Sequence, residues 1–310
     1  MAVPELRWAG EPGVKILLLG KNGQVGWELQ RSLAPLGEVV ALDQHSLEWC
    51  GDLENLDGLA DTVRGLAPRV IVNAAAYTAV DRAELDGGEL AQRLNAQAPA
   101  VLAREAKALG AWLIHYSTDY VFDGQGGAPW REEALPAPLN IYGVTKLAGD
   151  RAIQESGAAH LIFRASWVYG ARGDNFITTM LRLARERERL TVIDDQVGAP
   201  TGAELLADVT AQALAQALVR PELAGLYHLA AAGETSWYGY ACRIMDWARA
   251  WGEPLEVREV VPIPTSAYPL PARRPANSRL GTEKLRRSFG LTLPPWEVGV
   301  ERALREMLGH

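Results

Sequence analysis

The stretch VKILLLGKNGQVGWELQRSLAPL, Val14 to Leu36, opens with an unbroken apolar run, Ile16 to Leu19. That run reads as a buried strand of a parallel sheet. Gly20, Gly23 and Gly26 then complete a G-x-x-G-x-x-G pattern before a helical pattern sets in. A strand, a glycine turn and a helix start, in that order, make the opening unit of a doubly wound nucleotide-binding sheet. The chemistry asks for glycine because backbone must come close to a pyrophosphate whose charge is met by the free N–H groups of a helix N-terminus. Gly20 is expected to make the turn, Gly23 to allow close approach, and Gly26 to let the helix lie tight on the sheet. No Lys-Ser/Thr pair follows the last glycine, which argues against a P-loop phosphotransferase.

The rest of the chain fits that opening. Its 310 residues suffice for a nucleotide domain plus a smaller lobe. A formal charge of −7 gives no encouragement to nucleic-acid binding. Two cysteines, Cys50 and Cys242, suit a reducing compartment and offer no disulfide framework. No stretch reads as a membrane span or a cleavable leader, so the expectation is a soluble, cytoplasmic protein. The first dozen residues read as a ragged lead-in.

Val39 to Leu42 is a second strand ending at Asp43, the place from which an acidic residue takes the adenosine ribose hydroxyls. A carboxylate there repels a 2'-phosphate and leans towards NADH, with His45 and nearby basic groups softening the preference. Asp52 and Leu53 lie where they could frame the adenine. Val70 to Val72 is a third strand, running into Asn73-Ala74-Ala75-Ala76-Tyr77, and Leu90 to Leu109 reads as one long helix. Trp112 to Tyr116 delivers Ser117-Thr118-Asp119 to the carboxyl edge of the sheet, where ligands bind in such folds. Gly, Pro and acidic residues between Asp123 and Pro138 read as a surface or lid loop. Further strands are expected at Leu161 to Arg164, Leu190 to Ile193, Leu226 to Leu229 and Leu255 to Pro262. Arg273, Arg274 and Arg279, in a proline-rich loop, suit capture of a phosphorylated ligand as well as they suit plain solvent exposure.

Thr118, Tyr142 and Lys146 carry the chemical expectation. Tyr142 and Lys146, four apart, share a helix face. The lysine cation would favour the phenolate and hold a nicotinamide ribose, Thr118 would donate to a developing oxyanion, and Tyr142 would protonate it. Five histidines show no ligand spacing, and Ser117 lies in no G-x-S-x-G elbow, which weakens zinc and serine hydrolase readings.

Taken together, GKNGQVGWELQ, VIVNAAAYTAVD, HYSTDYVFDG, NIYGVTKLAGD, FRASWVYG, DDQVGAPTGAELLAD and PTSAYPLPARRPANSRL resemble the dTDP-4-dehydrorhamnose reductase family of the extended short-chain dehydrogenase/reductase superfamily. The resemblance runs from Val14 nearly to the end. It implies an α/β fold: an NAD(P)-binding Rossmann-like doubly wound parallel sheet over residues 14–165. Residues 166–310 would add late sheet elements and a smaller C-terminal lobe that binds a dTDP-sugar. By the same resemblance Gly23, Gln24 and Val25 meet the phosphates of NADPH or NADH, and Asp43, Asp52 and Leu53 hold its adenosine end. Ala76, Tyr77, Thr78 and Tyr116 line its path, Tyr142 and Lys146 are the catalytic pair, and Thr118, Asp119 and Trp167 contact the sugar nucleotide. The resemblance also implies a homodimer with Mg²⁺ held by Glu28, Glu204 and Glu306. Two alternatives stay open: another nucleotide-4-ketosugar reductase or epimerase, and a non-catalytic protein like the regulatory subunit of methionine adenosyltransferase.

Overall fold

The computed structural model describes residues 14–310, so the lead-in lies outside the described residues. In chain order the strands are β1 (Val14–Leu19), β2 (Gly37–Leu42), β3 (Val70–Asn73), β4 (Trp112–Thr118), β5 (Ala159–Ala165), β6 (Val168–Tyr169), β7 (Arg189–Ile193), β8 (Val197–Gly198), β9 (Thr201–Gly202), β10 (Gly225–His228), β11 (Thr235–Ser236) and β12 (Glu259–Ile263). The helices are α1 (Gln24–Leu33), α2 (Leu56–Leu66), α3 (Val80–Leu85), α4 (Glu89–Gln92), α5 (Ala98–Leu109), α6 (Ile141–Ser156), α7 (Phe176–Glu186), α8 (Ala203–Ala217), α9 (Trp237–Ala250), α10 (Glu283–Phe289) and α11 (Trp296–Leu308).

Six strands form one parallel sheet in the order β2-β1-β3-β4-β5-β10, the Rossmann-like arrangement. The order reverses between β1 and β3, which opens a crevice at their carboxyl ends. Ile16 to Leu19 are fully buried because successive side chains feed opposite faces of a sheet covered on both sides. Ile16 and Leu18 pack with Leu29 and Leu33 of α1 and Leu206 and Leu214 of α8, while Leu17 and Leu19 pack with α2 and α5. A third core, in the C-terminal part, gathers Trp296 with the partly buried Trp167, Trp237, Trp247 and Trp251. Aromatic packing there accounts for half of the chain's ten tryptophans.

Three readings of the sequence change and one is refined. The helix expected over Leu90 to Leu109 is interrupted by a π-helical turn at Arg93–Gln97. Pro99 follows it and has no N–H to continue the ladder. The strand expected over Leu255 to Pro262 forms only at Glu259–Ile263, where it pairs with β7. The short helices α3 and α10 were not read. Finally, the surface loop expected after Asp123 is exposed over Gln125 to Pro129 but anchored at Trp130. Trp130 stacks on Phe122 at 4.7 Å and 6°, its indole N–H donates to the Asn277 carbonyl at 3.1 Å, and the Asn277 amide donates to the Ala128 carbonyl at 2.8 Å.

Candidate active site

The crevice begins at the glycine turn. Gly20 has φ +87°, a left-handed conformation that favours glycine, and its N–H donates to the Leu42 carbonyl at 2.8 Å. A Cβ on Gly26 would stand 2.0 Å from the Gly20 carbonyl oxygen, so Gly26 lets the helix lie tight against the turn itself rather than against the sheet. Gly23 is the extended N-cap residue of α1 and has no side chain to occupy the first-turn N–H groups. Those donors are left for an anion. Gln24 Oε1 accepts from Asn175 Nδ2 at 3.2 Å, which ties the turn to the start of α7; Val25 is half-buried against the core.

At the end of β2, Asp43 accepts from Asn22 Nδ2, from Ser46 Oγ at 3.0 Å and from the His45 N–H at 3.0 Å, with Lys21 Nζ at 3.9 Å. Burial pushes its carboxyl up, but those hydrogen bonds and cations outweigh it and hold it below the usual range. Asp52 caps its own turn through the Glu54 N–H at 2.9 Å, and Leu53 is buried in the core. Beyond β3, Ala76 and Tyr77 are half-buried and Thr78 is exposed. Both main-chain groups of Tyr77 are held by the buried Asn95 amide, at 2.9 and 3.0 Å. The Tyr116 side chain faces α8, its hydroxyl 2.7 Å from Thr210 Oγ1.

The polar centre lies where β4 meets α6. Asn140 caps α6 by accepting from the Gly143 N–H at 2.8 Å, and one helical turn separates Tyr142 from Lys146. Lys146 is 2 % exposed; its Nζ donates to the Tyr116 carbonyl at 2.6 Å and lies 3.2 Å from His115 Nε2. Burial pulls its pKa down to about 8 against the opposing charge of Asp150. Burial likewise raises the Tyr142 phenol above its ordinary value; Thr118 opposes this, and the Asp119 and Asp150 charges add to it. Lys146 Nζ is turned to the Tyr116 carbonyl and His115 Nε2, and burial rather than a neighbouring cation dominates the shift of the phenol. Tyr120 packs edge-on to Tyr142 at 5.7 Å.

Thr118 Oγ1 accepts from the Tyr120 N–H at 3.1 Å and donates to Asp119 Oδ1 at 3.3 Å. Asp119 is 2 % exposed with Oδ2 unpartnered, and burial lifts its carboxyl to about 7 while Ser278 and Thr118 oppose the shift. Beneath them, Asp150 accepts from Ser117 Oγ at 2.9 Å and pairs with the buried Arg164 at 3.1 Å. Trp167, with φ +50°, leaves β5 and stacks on Trp237 at 3.7 Å and 14°.

Two of the three arginines offered for phosphate capture are already engaged. Arg274 forks onto Asp81 at 2.9 and 2.6 Å, and Arg279 onto Glu234 at 2.7 and 3.3 Å. They pin the strap around Ala272 to Leu280 to α3 at one end and to the residue before β11 at the other. Glu28, Glu204 and Glu306 stand on α1, α8 and α11. Burial raises the Glu204 carboxyl, Arg302 opposes the shift, and the charges of Glu28 and Glu306 add to it. Among the described residues, however, no group of three or more His, Cys, Asp or Glu is disposed to hold a metal ion, so one chain makes no ready Mg²⁺ site. Sequence reasoning missed Asn73, Asn95, His115 and Asp150. The available signal was polar residues at inward positions of otherwise apolar elements.

The family described as RmlD substrate binding domain matches residues 14–308. The dTDP-4-dehydrorhamnose reductase of Escherichia coli (strain K12) is 59 % identical over 294 residues, covering 95 % of this chain and 98 % of that protein. Its counterpart from Salmonella typhimurium (strain LT2) is 60 % identical over the same shares. Among solved structures, the dTDP-4-dehydrorhamnose reductase of Bacillus anthracis in complex with NADP superimposes with a TM-score of 0.84 at 34 % identity, covering 95 % of this chain and 99 % of that one.

Proposed function

The chain belongs to the RmlD substrate binding domain family, and on that premise we propose that it is a nicotinamide-dependent reductase of the C4 ketone of dTDP-4-dehydro-β-L-rhamnose, giving dTDP-β-L-rhamnose. The observation that carries this reading is the half-buried Tyr142 one helical turn from the buried Lys146, at the carboxyl edge of a nucleotide-binding sheet.

The residues at the turn fit the coenzyme, because Gly23 caps α1 without a side chain and leaves its first-turn N–H groups for an anion. NADPH or NADH, when bound, supplies the hydride. The first-turn N–H groups of Gln24 and Val25 would meet its phosphates where Gly23, whose own N–H is taken by the Gly20 carbonyl at 3.0 Å, allows close approach, and Asp43 would take the ribose hydroxyls, with Lys21 and Ser46 beside it to tolerate a 2'-phosphate. Asp52, Leu53, Ala76, Tyr77, Thr78 and Tyr116 build the walls along its length. Thr118 donates to the ketone oxygen as negative charge grows there, and Tyr142 gives that oxygen its proton. Lys146 fixes the geometry around the phenol through its bond to the Tyr116 carbonyl. Asp119 and Trp167 bound the sugar.

On this reading residues 14–165 form the coenzyme domain and residues 166–310 supply late sheet elements and the sugar-nucleotide lobe. We assign the protein to the cytoplasm, in keeping with its two free cysteines. We also propose a homodimer through the face made by α1, α8 and α11, with Mg²⁺ at Glu28, Glu204 and Glu306 only once two copies meet; the mutual repulsion of these carboxylates, which adds to the burial of Glu204, supports a cation there beside Arg302. Molecular mass measured with Mg²⁺ and with EDTA tests this point. For the activity, the pure protein is mixed with NADH or NADPH and dTDP-4-dehydro-β-L-rhamnose. Loss of the reduced-cofactor absorbance with formation of the deoxysugar nucleotide is expected, and no oxidation with either cofactor would overturn the reading.

A further inference from the structure

His115 is a buried polar group to which the mechanism above gives no role. It sits on β4, 1 % exposed, with Nε2 3.2 Å from Lys146 Nζ. Its other ring nitrogen, Nδ1, faces Asn73 Nδ2 at 3.2 Å across the β3–β4 pair, where the two residues are register partners. The Asn73 amide is held the right way round, because its Oδ1 accepts the Ala75 N–H at 3.2 Å. The amide therefore presents its NH₂ to the ring. Nδ1 must accept, and the proton of the neutral imidazole must sit on Nε2.

That Nε2–H points at Lys146 Nζ, which can accept only as a neutral amine, since an ammonium has no lone pair. A protonated Lys146 needs Nε2 to accept instead. The ring proton must then be on Nδ1, and the Asn73 amide must turn its oxygen to the ring and release Ala75. Each protonation state of Lys146 thus matches a different arrangement of the His115 ring and the Asn73 amide.

We propose that Asn73 and His115 are positioning residues that couple the protonation of Lys146 to the tautomer of His115 and, through the amide, to the backbone at Ala75 in the crevice. The proposal rests on the reading of Lys146 as the partner of Tyr142. The proton on Nε2 passes to the Lys146 amine it faces and the ring takes one proton from solvent on Nδ1, so the net uptake is a single proton and the imidazole remains uncharged. The other groups facing Lys146 are Tyr142 and Asp150 one turn to either side on α6, and the Tyr116 carbonyl on β4. Asp150 favours the ammonium but is shared with Arg164 of β5. Burial holds His115 well below its usual range, so the ring is present as a neutral donor–acceptor rather than as a second cation.

The chain has five histidines, so long-range proton–nitrogen spectra of ¹⁵N-labelled protein resolve the His115 ring, assigned with His115→Gln. The expected result is an Nε2–H tautomer at high pH that converts to Nδ1–H as pH falls through the Lys146 titration, with no imidazolium at any point. Lys146→Met should lock the ring as Nε2–H at every pH. Asn73→Ala removes the donor that holds Nδ1 as an acceptor, so the Nδ1–H form should persist to higher pH than in the wild type and the Lys146 limb of the turnover–pH profile should move up by about one unit, because Nε2 is then freer to accept from the ammonium. A tautomer that ignores pH in the wild type, or that titrates equally in Lys146→Met, overturns the proposal. The spectra need no substrate, so failure of the reductase reading would appear separately, as absent turnover in a protein whose ring still switches. If Asn73→Ala does not fold, the comparison of wild type with Lys146→Met still decides.

Discussion

The two walls of the crevice are built from different material. On the β1–β2 side the working groups are main-chain: the Gly20 turn, the bare N-terminus of α1, and a carboxylate, Asp43, satisfied by residues within a few positions of it or by the turn itself. On the β4–α6 side they are buried or half-buried side chains partnered over long separations, as the buried Lys146 is with Tyr116 and His115, and the half-buried Arg274 with Asp81 across 193 positions. Steric fit governs the first wall, and desolvation governs the second. The first should be intolerant of one added atom and indifferent to pH. The second should accept shape-preserving substitutions while responding strongly to a lost proton or charge.

The largest expected effect tests the second wall. Tyr142→Phe preserves shape and removes one hydroxyl, so coenzyme binding should persist while turnover falls by about 10²–10⁴-fold, the range for positioned proton transfer. Turnover near wild type would move the proton donor elsewhere. Gly26→Ala is the counterpart on the first wall. Its methyl would meet the Gly20 carbonyl oxygen at 2.0 Å, and backbone cannot give way cheaply. A loss of about 1–3 kcal/mol in stability and at least tenfold weaker coenzyme binding are expected, both independent of pH. Thermal melts and coenzyme titrations at two pH values check it, and an unaffected Kd would show that the turn has room to relax.

How far each wall could be read in the sequence follows from the same contrast. The glycine wall was legible because its constraints are local: an apolar run names the strand, and glycines at fixed spacing name the turn. The Tyr142–Lys146 spacing was legible for the same reason, since it is one helical turn. The direction of the lysine was not, because its partners, the Tyr116 carbonyl and His115, belong to another element. The π turn was hidden because one extra residue per turn barely disturbs an apolar pattern, yet it brings Asn95 inward to hold Tyr77. Whether the strap arginines capture a phosphate or face solvent was not legible, because sequence gives no sign that Asp81 and Glu234 engage Arg274 and Arg279. Glu28, Glu204 and Glu306 do sense one another, but no chelating group follows from that within one chain.

Asp119 offers the pH test of the second wall. Its folded pKa, about 7, lies above the ordinary carboxyl value of 3.8, so the folded protein binds the extra proton between those values. Stability contributed by the protonated form is therefore present below about pH 4, declines as pH rises, and is lost above about pH 7. Asp119→Asn, which cannot ionise, should melt higher than wild type at pH 8.5 or so and match it near pH 4. The gain is at most about 4 kcal/mol, from roughly three pKa units at 1.36 kcal/mol each. The same difference in Tm at both pH values would mean that the gain comes from packing rather than charge.

The smallest effect belongs to Asp43, where the first wall uses a side chain. Its carboxylate accepts from Ser46 and the His45 N–H and lies 3.9 Å from Lys21 Nζ, so it is ionised and held in one orientation. A ribose diol would find an acceptor there, and a 2'-phosphate would meet a like charge that Lys21 only partly offsets. Asp43→Ala removes the acceptor and the repulsion together and leaves Lys21 without its counter-charge. NADH should bind several-fold more weakly while NADPH is unchanged or tighter, a shift of about tenfold in their ratio, or roughly 1.4 kcal/mol. Asp43→Asn keeps an acceptor and loses the charge, so it should favour NADPH while sparing NADH. Fluorescence titrations of both coenzymes against both variants separate the hydrogen bond from the charge, and equal losses for the two coenzymes in Asp43→Ala would show that this carboxylate reads neither ribose hydroxyl nor phosphate.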